Sequence, residues 1–161
     1  MTIHSILVVL HVLSVIVWLG FVPADLILRS QISSSRGKPG ERNLISTYLK
    51  VANLTGIIGM TGVLLTGIFL VTALPYYSFF EFSSNHWLVT KQVLMIILIL
   101  IVFLMLIPSA KKLRLLLNAP DNEIALHENE TNKLNKVYNA VTFINILVLI
   151  NFLLGITHRF F

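Results

Sequence analysis

Four long apolar segments alternate with polar stretches along the chain. They cover approximately residues 3–24, 49–74, 87–107 and 134–159. An α-helix needs about 20 mostly apolar residues to cross the hydrocarbon core of a bilayer, and each segment provides them. Pro23 and Pro75 mark the ends of the first two segments, and Pro108 follows the third. The pattern predicts an all-α integral membrane protein, in which residues 1–161 form a single transmembrane domain, an up-down-up-down four-helix bundle.

The composition agrees with a protein whose main partner is the lipid bilayer. Hydrophobic residues make up 56% of the chain and charged residues only 12%, about half of the charged fraction typical of soluble domains. The chain contains no cysteine, which excludes disulfides, thiolate metal sites and iron–sulfur clusters. The net charge is +5, but its basic residues fall mainly in two linkers. Because nucleic-acid binding requires a continuous basic face, we expect none.

The distribution of lysine and arginine predicts the orientation of the bundle. The linkers after the first and third segments hold most of these residues: Arg29, Arg36, Lys38, Arg42, Lys50, Lys111, Lys112, Arg114, Lys133 and Lys136. The aromatic linker after the second segment has none before Lys91. Basic linkers remain on the cytoplasmic side of a membrane. Both termini and the aromatic linker are therefore predicted to be extracytoplasmic.

Polar side chains inside the predicted spans gather towards the extracytoplasmic side. His4 and His11 are seven residues apart, so they share one face of the first helix, and Trp18 continues the same stripe. His86, Lys91 and His158 fall near the same side of the later helices. Polar residues at membrane depth are costly and mark functional sites. We therefore expect a polar outer half that holds a cofactor and a plain, packed inner half.

Several of these residues also have simpler explanations. His4 and His158 lie near helix ends, where histidine is common at the membrane interface. The lysine stem of Lys91 is long enough for its ammonium to reach the headgroups; alternatively it pairs with a cofactor carboxylate or ligates a metal. Four glycines in the second helix favour close helix packing, and they also leave room for a flat macrocycle.

Neutral imidazole is a ligand for haem iron, copper and zinc. Facing helices of a four-helix bundle can supply ligands to a cofactor in the core. We therefore predict haem b with His11 as the first axial ligand, and the opposite ligand is His86, His158 or Lys91. His4 is a candidate for a second, more exposed site, so more than one haem is an open alternative. A copper site would recruit methionine, but Met60, Met95 and Met105 are expected to lie away from the histidines.

Two short motifs carry a resemblance to a known group. The first helix reads His11-Val-Leu-Ser-Val-Ile-Val-Trp18-Leu-Gly20, and the third begins Trp87-Leu-Val-Thr-Lys91. These stretches resemble the H-x6-W-x-G and W-L-x-x-K motifs of the CopD/HemJ-like superfamily of small bacterial four-helix membrane proteins. The resemblance implies a multi-pass protein of the bacterial inner membrane that binds b-type haem, with the important positions at His11 and Lys91.

The expected function is one-electron transfer, or redox or small-ligand chemistry at haem near the outer leaflet. A quinone or another redox protein is the expected partner, and a homo-oligomer is an open alternative. The resemblance also implies two other functions, a HemJ-like protoporphyrinogen oxidase and a CopD-like copper-handling protein. Whether the chain is an enzyme stays open, and oxidoreductase is the class that the resemblance implies.

Overall fold

The computed structural model describes residues 3–73, 77–82, 86–118, 126 and 128–157. These residues form helices and connecting turns, without a β-strand among them, which confirms the all-α prediction. In chain order the helices are α1 (Ile3–Leu19), α2 (Phe21–Ser34), α3 (Glu41–Ala73), α4 (His86–Ile101), α5 (Ile107–Leu117) and α6 (Glu128–Thr157). A short π-helical segment, Val102–Leu106, joins α4 to α5.

In the ranges just given, four helical stretches are long and apolar enough to span a membrane. They are Ile3–Ser34, Glu41–Ala73, His86–Leu117 and Glu128–Thr157. The helices are longer than the apolar segments seen in the sequence. The predicted linker after residue 24 is largely α2, and the second long helix begins at Glu41 instead of near Leu49. A hydropathy profile identifies only the apolar turns of a helix. The charged turns are also helical, and their side chains form hydrogen bonds and ion pairs with one another.

Two prolines account for the irregularities in these long stretches. Pro23 has no N–H to donate to the carbonyl of Leu19, and the regular α-helix is interrupted at Gly20, between α1 and α2. Pro108 likewise cannot bond to the carbonyl of Leu104, and the π-helical segment ends just before it. Pro108 lies in the first turn of α5, where a helix tolerates a residue without an N–H.

The α1–α3 pair is held together by glycine. The side chain of Trp18 covers Gly59, where a Cβ would lie 2.6 Å from the Trp18 Cβ. Further along the pair, His11 lies against Gly67. Residue numbers fall on α1 as they rise on α3, so the two helices are antiparallel. Small residues allow this close approach of helix backbones, which confirms the expected packing role for Gly59 and Gly62, whereas a Cβ at Gly56 would meet nothing within 4 Å.

The bundle has two halves of different chemistry. We call the part that contains His4, His11 and Lys91 the histidine half, and the part that contains Asp25 and Glu41 the charged half. Between them lies an apolar cluster made of Trp18, Leu98, Ile144, Leu147 and Val148. Large apolar side chains dominate the outer surface of the helices, and Leu104, for example, is 71% exposed. A surface of this kind matches a lipid environment.

Candidate functional site

His11 is oriented by a relay of hydrogen bonds that runs from α1 to α3. Its Nδ1 lies 2.8 Å from Oγ1 of Thr66. The Thr66 hydroxyl donates its single proton to the carbonyl of Gly62, one turn earlier, at 2.5 Å. The hydroxyl oxygen can therefore only accept from His11, so Nδ1 carries the ring proton. Nε2 is left with the lone pair of the imidazole, which is the arrangement of a metal-ligating histidine whose other nitrogen is held by a neighbour.

Two cavities border His11 in the described part of the chain. The larger, of about 460 Å³, lies between α1, α3 and α4, and both His4 and Lys91 line it. The smaller, of about 190 Å³, lies towards α6, where Lys91 and Asn151 line it. The walls of both are mainly aliphatic and aromatic. Cofactor and ligand pockets commonly measure about 300–1,000 Å³ and combine apolar walls with a few polar groups. The larger cavity has both properties.

Lys91 lies on the wall that the two cavities share. Its Nζ lies 5.8 Å from the centre of the Trp87 ring and close to Gly155 of α6. The amide of Asn151 donates to the backbone carbonyl of Lys91 at 3.3 Å, which ties α6 to α4 at this level. No carboxylate pairs with the ammonium among the residues that the structure describes. A ligand carrying an anionic oxygen would supply that missing partner.

The structure brings together part of the predicted site. His4, His11 and Lys91 line the larger cavity, whereas His86 is exposed at the start of α4 and lines neither cavity. Trp18 lines the smaller cavity and packs on Gly59.

The remaining candidate, His158, lies outside the described residues, as do His127 and Pro75. His4 and His11 sit two helical turns apart on one face, about 10 Å along the axis. Two imidazoles separated in this way cannot both be axial ligands of the same haem iron.

The placement of Met95 corrects an expectation from the sequence. Its side chain lines both cavities together with His11. Depth along the helices alone had put Met95 away from the histidines, but Met95 and His11 line the same two cavities. The argument against a copper site from methionine position is therefore wrong for this residue.

Sequence reasoning missed the contribution of Gln92 and the aromatic loop. The backbone N–H of Phe80 donates to Oε1 of Gln92 at 2.8 Å. The amide nitrogen of the same side chain is shielded from solvent and has no hydrogen-bond partner in the described chain. Gln92 also lines the larger cavity. Its position directly after Lys91 was the available signal, since glutamine one turn inside an apolar helix needs a partner.

The charged half contains a buried polar network, so the prediction of a plain inner half is wrong. Asp25 is 4% exposed. Its Oδ1 accepts from Nε of Arg29 at 2.7 Å and from the hydroxyl of Tyr48 at 2.8 Å, and its Oδ2 accepts from the amide of Asn145 at 3.3 Å. The guanidinium of Arg29 also lies over the ring of Tyr138, 4.5 Å from its centre. These contacts join α2, α3 and α6 and leave the carboxylate fully bonded.

A second ion pair closes the end of the charged half. The guanidinium of Arg42 on α3 donates two hydrogen bonds to the carboxylate of Glu130 on α6, at 2.8 and 3.1 Å. Arg29 and Arg42 were assigned to a linker from the sequence, but both lie on helices inside the bundle. In a hydropathy profile an arginine lowers the local average, so it is assigned to a linker. In the structure, a carboxylate that pairs with the arginine allows it to lie at the end of a helix.

Two asparagines also form hydrogen bonds between helices. Asn145 donates to the carboxylate of Asp25, and Asn151 donates to the backbone carbonyl of Lys91. Asn53 and Asn139, by contrast, are exposed.

Within the described residues, no group of three or more histidine or acidic side chains is placed to hold a metal ion. The site chemistry therefore rests on His11 as a single well-oriented ligand. Comparison with known proteins finds no matching family model, no significantly similar curated protein and no significantly similar solved structure.

Proposed function

We propose that the chain is a membrane protein that binds b-type haem through Nε2 of His11 and takes part in one-electron transfer. The observation that carries the proposal is the relay from His11 through Thr66 to the carbonyl of Gly62. It fixes the imidazole tautomer in which Nε2 has a free lone pair, inside an otherwise apolar region. In this tautomer the ring nitrogen that is not bonded to Thr66 has the lone pair through which imidazole ligates a metal.

The residues around His11 fit a haem. The larger cavity has the volume and the apolar walls that such a group needs. His11 would supply one axial nitrogen, and Lys91 would face the carboxylates. The haem supplies a one-electron couple when it is bound. The protein holds the imidazole ring in place, keeps water out with the apolar walls and balances charge with the ammonium of Lys91.

We further propose the orientation and location predicted from the basic residues. The histidine half then faces the extracytoplasmic side of a bacterial inner membrane, with both termini on that side. Residues such as Lys38, Lys111 and Lys112, exposed near the charged half, support this orientation through the preference of basic side chains for the cytoplasmic side. Haem near the outer leaflet would exchange electrons with a quinone or with another redox protein.

A copper-handling function is a second candidate, because Met95 lines both cavities with His11. Thioether and imidazole together suit copper in its reduced state. The two proposals differ in the ligand that the purified chain should retain. Haem would give an intense visible spectrum, whereas Cu(I) would leave the protein colourless.

Replacing His11 with alanine tests the proposal. We expect His11→Ala to abolish haem retention after purification, since it removes the axial nitrogen. His86→Ala serves as the matched control, because this histidine is exposed and lines neither cavity. Haem content is measured from the absorption of the pyridine haemochrome. Equal haem content in His11→Ala and in the wild-type protein would remove His11 from the site.

A further inference from the structure

The side-chain amide of Gln92 has a defined orientation, and its NH2 group has no hydrogen-bond partner in the described chain. Its Oε1 accepts from the backbone N–H of Phe80 at 2.8 Å. An N–H donor can only face the oxygen of an amide, so the other end of the group is the NH2. This NH2 is buried and has no hydrogen-bond partner in the described chain. A buried donor without a partner is costly, so such atoms are rare in folded proteins unless a ligand satisfies them.

The loop that holds Gln92 in this orientation is strained. Phe80 has a φ of 55°, a left-handed conformation that bulky residues rarely adopt. The conformation lets the Phe80 N–H point at Gln92. Backbone strain of this kind is typical of places where a protein holds a ligand. The loop and α4 are therefore arranged so that the Gln92 amide is fixed before any ligand binds.

The chemistry of the larger cavity identifies the ligand group. Gln92 and Lys91 are neighbours in sequence, and both line this cavity. Gln92 offers a neutral N–H donor, and Lys91 offers an ammonium without a carboxylate partner in the described chain. A carboxylate accepts from both, and the apolar walls of the cavity suit a carboxylate that is attached to an apolar body.

We infer that Gln92 and Lys91 together bind the carboxylate end of an amphipathic ligand in the larger cavity, and that Gln92 is a specificity-determining residue. This inference rests on the proposed function, in which the apolar body is the porphyrin ring and the carboxylates belong to its two acidic side chains. The same chemistry is offered by a fatty acid, so the experiment includes one. The carboxylates face the aromatic loop at residues 77–82.

The test titrates the purified, haem-free chain of 161 residues with haemin and with haemin dimethyl ester, whose carboxylates are blocked. Hydrogen bonds to a charged group each contribute roughly tenfold in affinity. We expect the wild-type protein to prefer haemin about 100-fold, and Gln92→Met to reduce this preference to about tenfold. The affinity for the ester should fall much less than the affinity for haemin, because a neutral ester carbonyl is a weaker acceptor than a carboxylate, and ester binding also shows that the cavity is intact. Gln31→Met is the matched control, because Gln31 is exposed on α2.

Equal affinity for haemin and its ester in the wild-type protein would overturn the inference and leave the proposed function in place. The same preference in Gln92→Met as in the wild type would also overturn it. Failure of both porphyrins to bind would instead overturn the proposed function. In that case equilibrium binding of radiolabelled decanoate decides: binding that Gln92→Met weakens about tenfold supports the carboxylate site, and binding that does not depend on Gln92 overturns it.

Discussion

Nδ1 of His11 is hydrogen-bonded to Thr66, and in the function that we propose the other ring nitrogen, Nε2, binds the haem. The position of the proton follows from Thr66, because a hydroxyl that donates to a carbonyl can only accept from the imidazole. The sequence identified His11 from its depth in an apolar helix. It did not reveal Thr66, since a threonine among the small residues of a membrane helix also fits close packing.

Replacing Thr66 with valine tests the orientation of His11. Thr66→Val keeps the shape of the side chain but removes the oxygen that accepts from Nδ1. Loss of such an orienting group typically lowers the affinity of a metal site by about 10- to 100-fold, and we expect that loss in a haem titration. Thr72→Val is the matched control, since Thr72 makes the same bond to the carbonyl one turn earlier but is exposed. An unchanged haem affinity in Thr66→Val would show that the hydroxyl does not orient the ligand.

At the scale of helices, the α1–α3 pair determines whether the site exists. His11 and Thr66 meet only because the two backbones approach closely at Gly59 and Gly62, where Trp18 and Ser14 fill the space. Close packing and ligand orientation therefore depend on the same contact between the helices.

Two glycines one turn apart on α3 allow a matched test of this contact. A Cβ at Gly59 would lie 2.6 Å from the Cβ of Trp18, whereas a Cβ at Gly56 meets nothing within 4 Å. We expect Gly59→Ala to lower the melting temperature and to weaken haem binding, because α1 must move away. Gly56→Ala should be neutral or slightly stabilising, by up to about 1 kcal/mol, since alanine favours helix. Equal melting temperatures of the two variants would contradict the packing at Trp18.

The sequence predicted the existence of the four apolar spans better than it predicted the ends of the helices. Apolar length is sufficient to identify a span, because a bilayer requires it. The helix ends in the charged half depend instead on pairs such as Arg42 with Glu130, which are 88 residues apart in the chain. The orientation of the Gln92 amide depends on the conformation of the loop at Phe80. Neither contact leaves a periodic signal in the sequence.

At the scale of the whole molecule, two polar regions lie on either side of an apolar layer. In the part of the chain that the structure describes, the histidine half has a buried donor on Gln92 without a partner, and the imidazole of His11 borders two cavities. The charged half has an aspartate whose carboxylate is fully bonded to Arg29, Tyr48 and Asn145. A satisfied network of this kind fixes how helices pack, so we assign binding to the first half and structural specificity to the second.

Removing one partner of the buried ion pair tests the structural role of the charged half. The side chain of Asp25 is 5% exposed, and Arg29→Leu leaves its carboxylate with hydrogen bonds from neutral donors alone. We expect a loss of about 3 kcal/mol in the free energy of unfolding, measured by denaturant titration in detergent. The double variant Asp25→Leu/Arg29→Leu should be more stable than Arg29→Leu, because no charge then remains unpaired. A double variant less stable than Arg29→Leu would contradict this account.

The absence of cysteine from the sequence makes the proposed orientation directly testable. Ser35 lies in the turn between α2 and α3, and Ser78 lies in the aromatic loop between α3 and α4. In intact bacterial cells, we expect a membrane-impermeant maleimide to label Ser78→Cys and not Ser35→Cys. Both variants should react after the cells are broken. Labelling of Ser35→Cys alone in intact cells would contradict the proposed orientation and indicate the opposite one.

The central claim, haem bound at His11, is tested most directly by the absorption spectrum of the purified wild-type chain. We predict a Soret band, with α and β bands that sharpen on reduction, and loss of these bands in His11→Ala. A colourless wild-type protein that carries copper would contradict the claim and support the second candidate function.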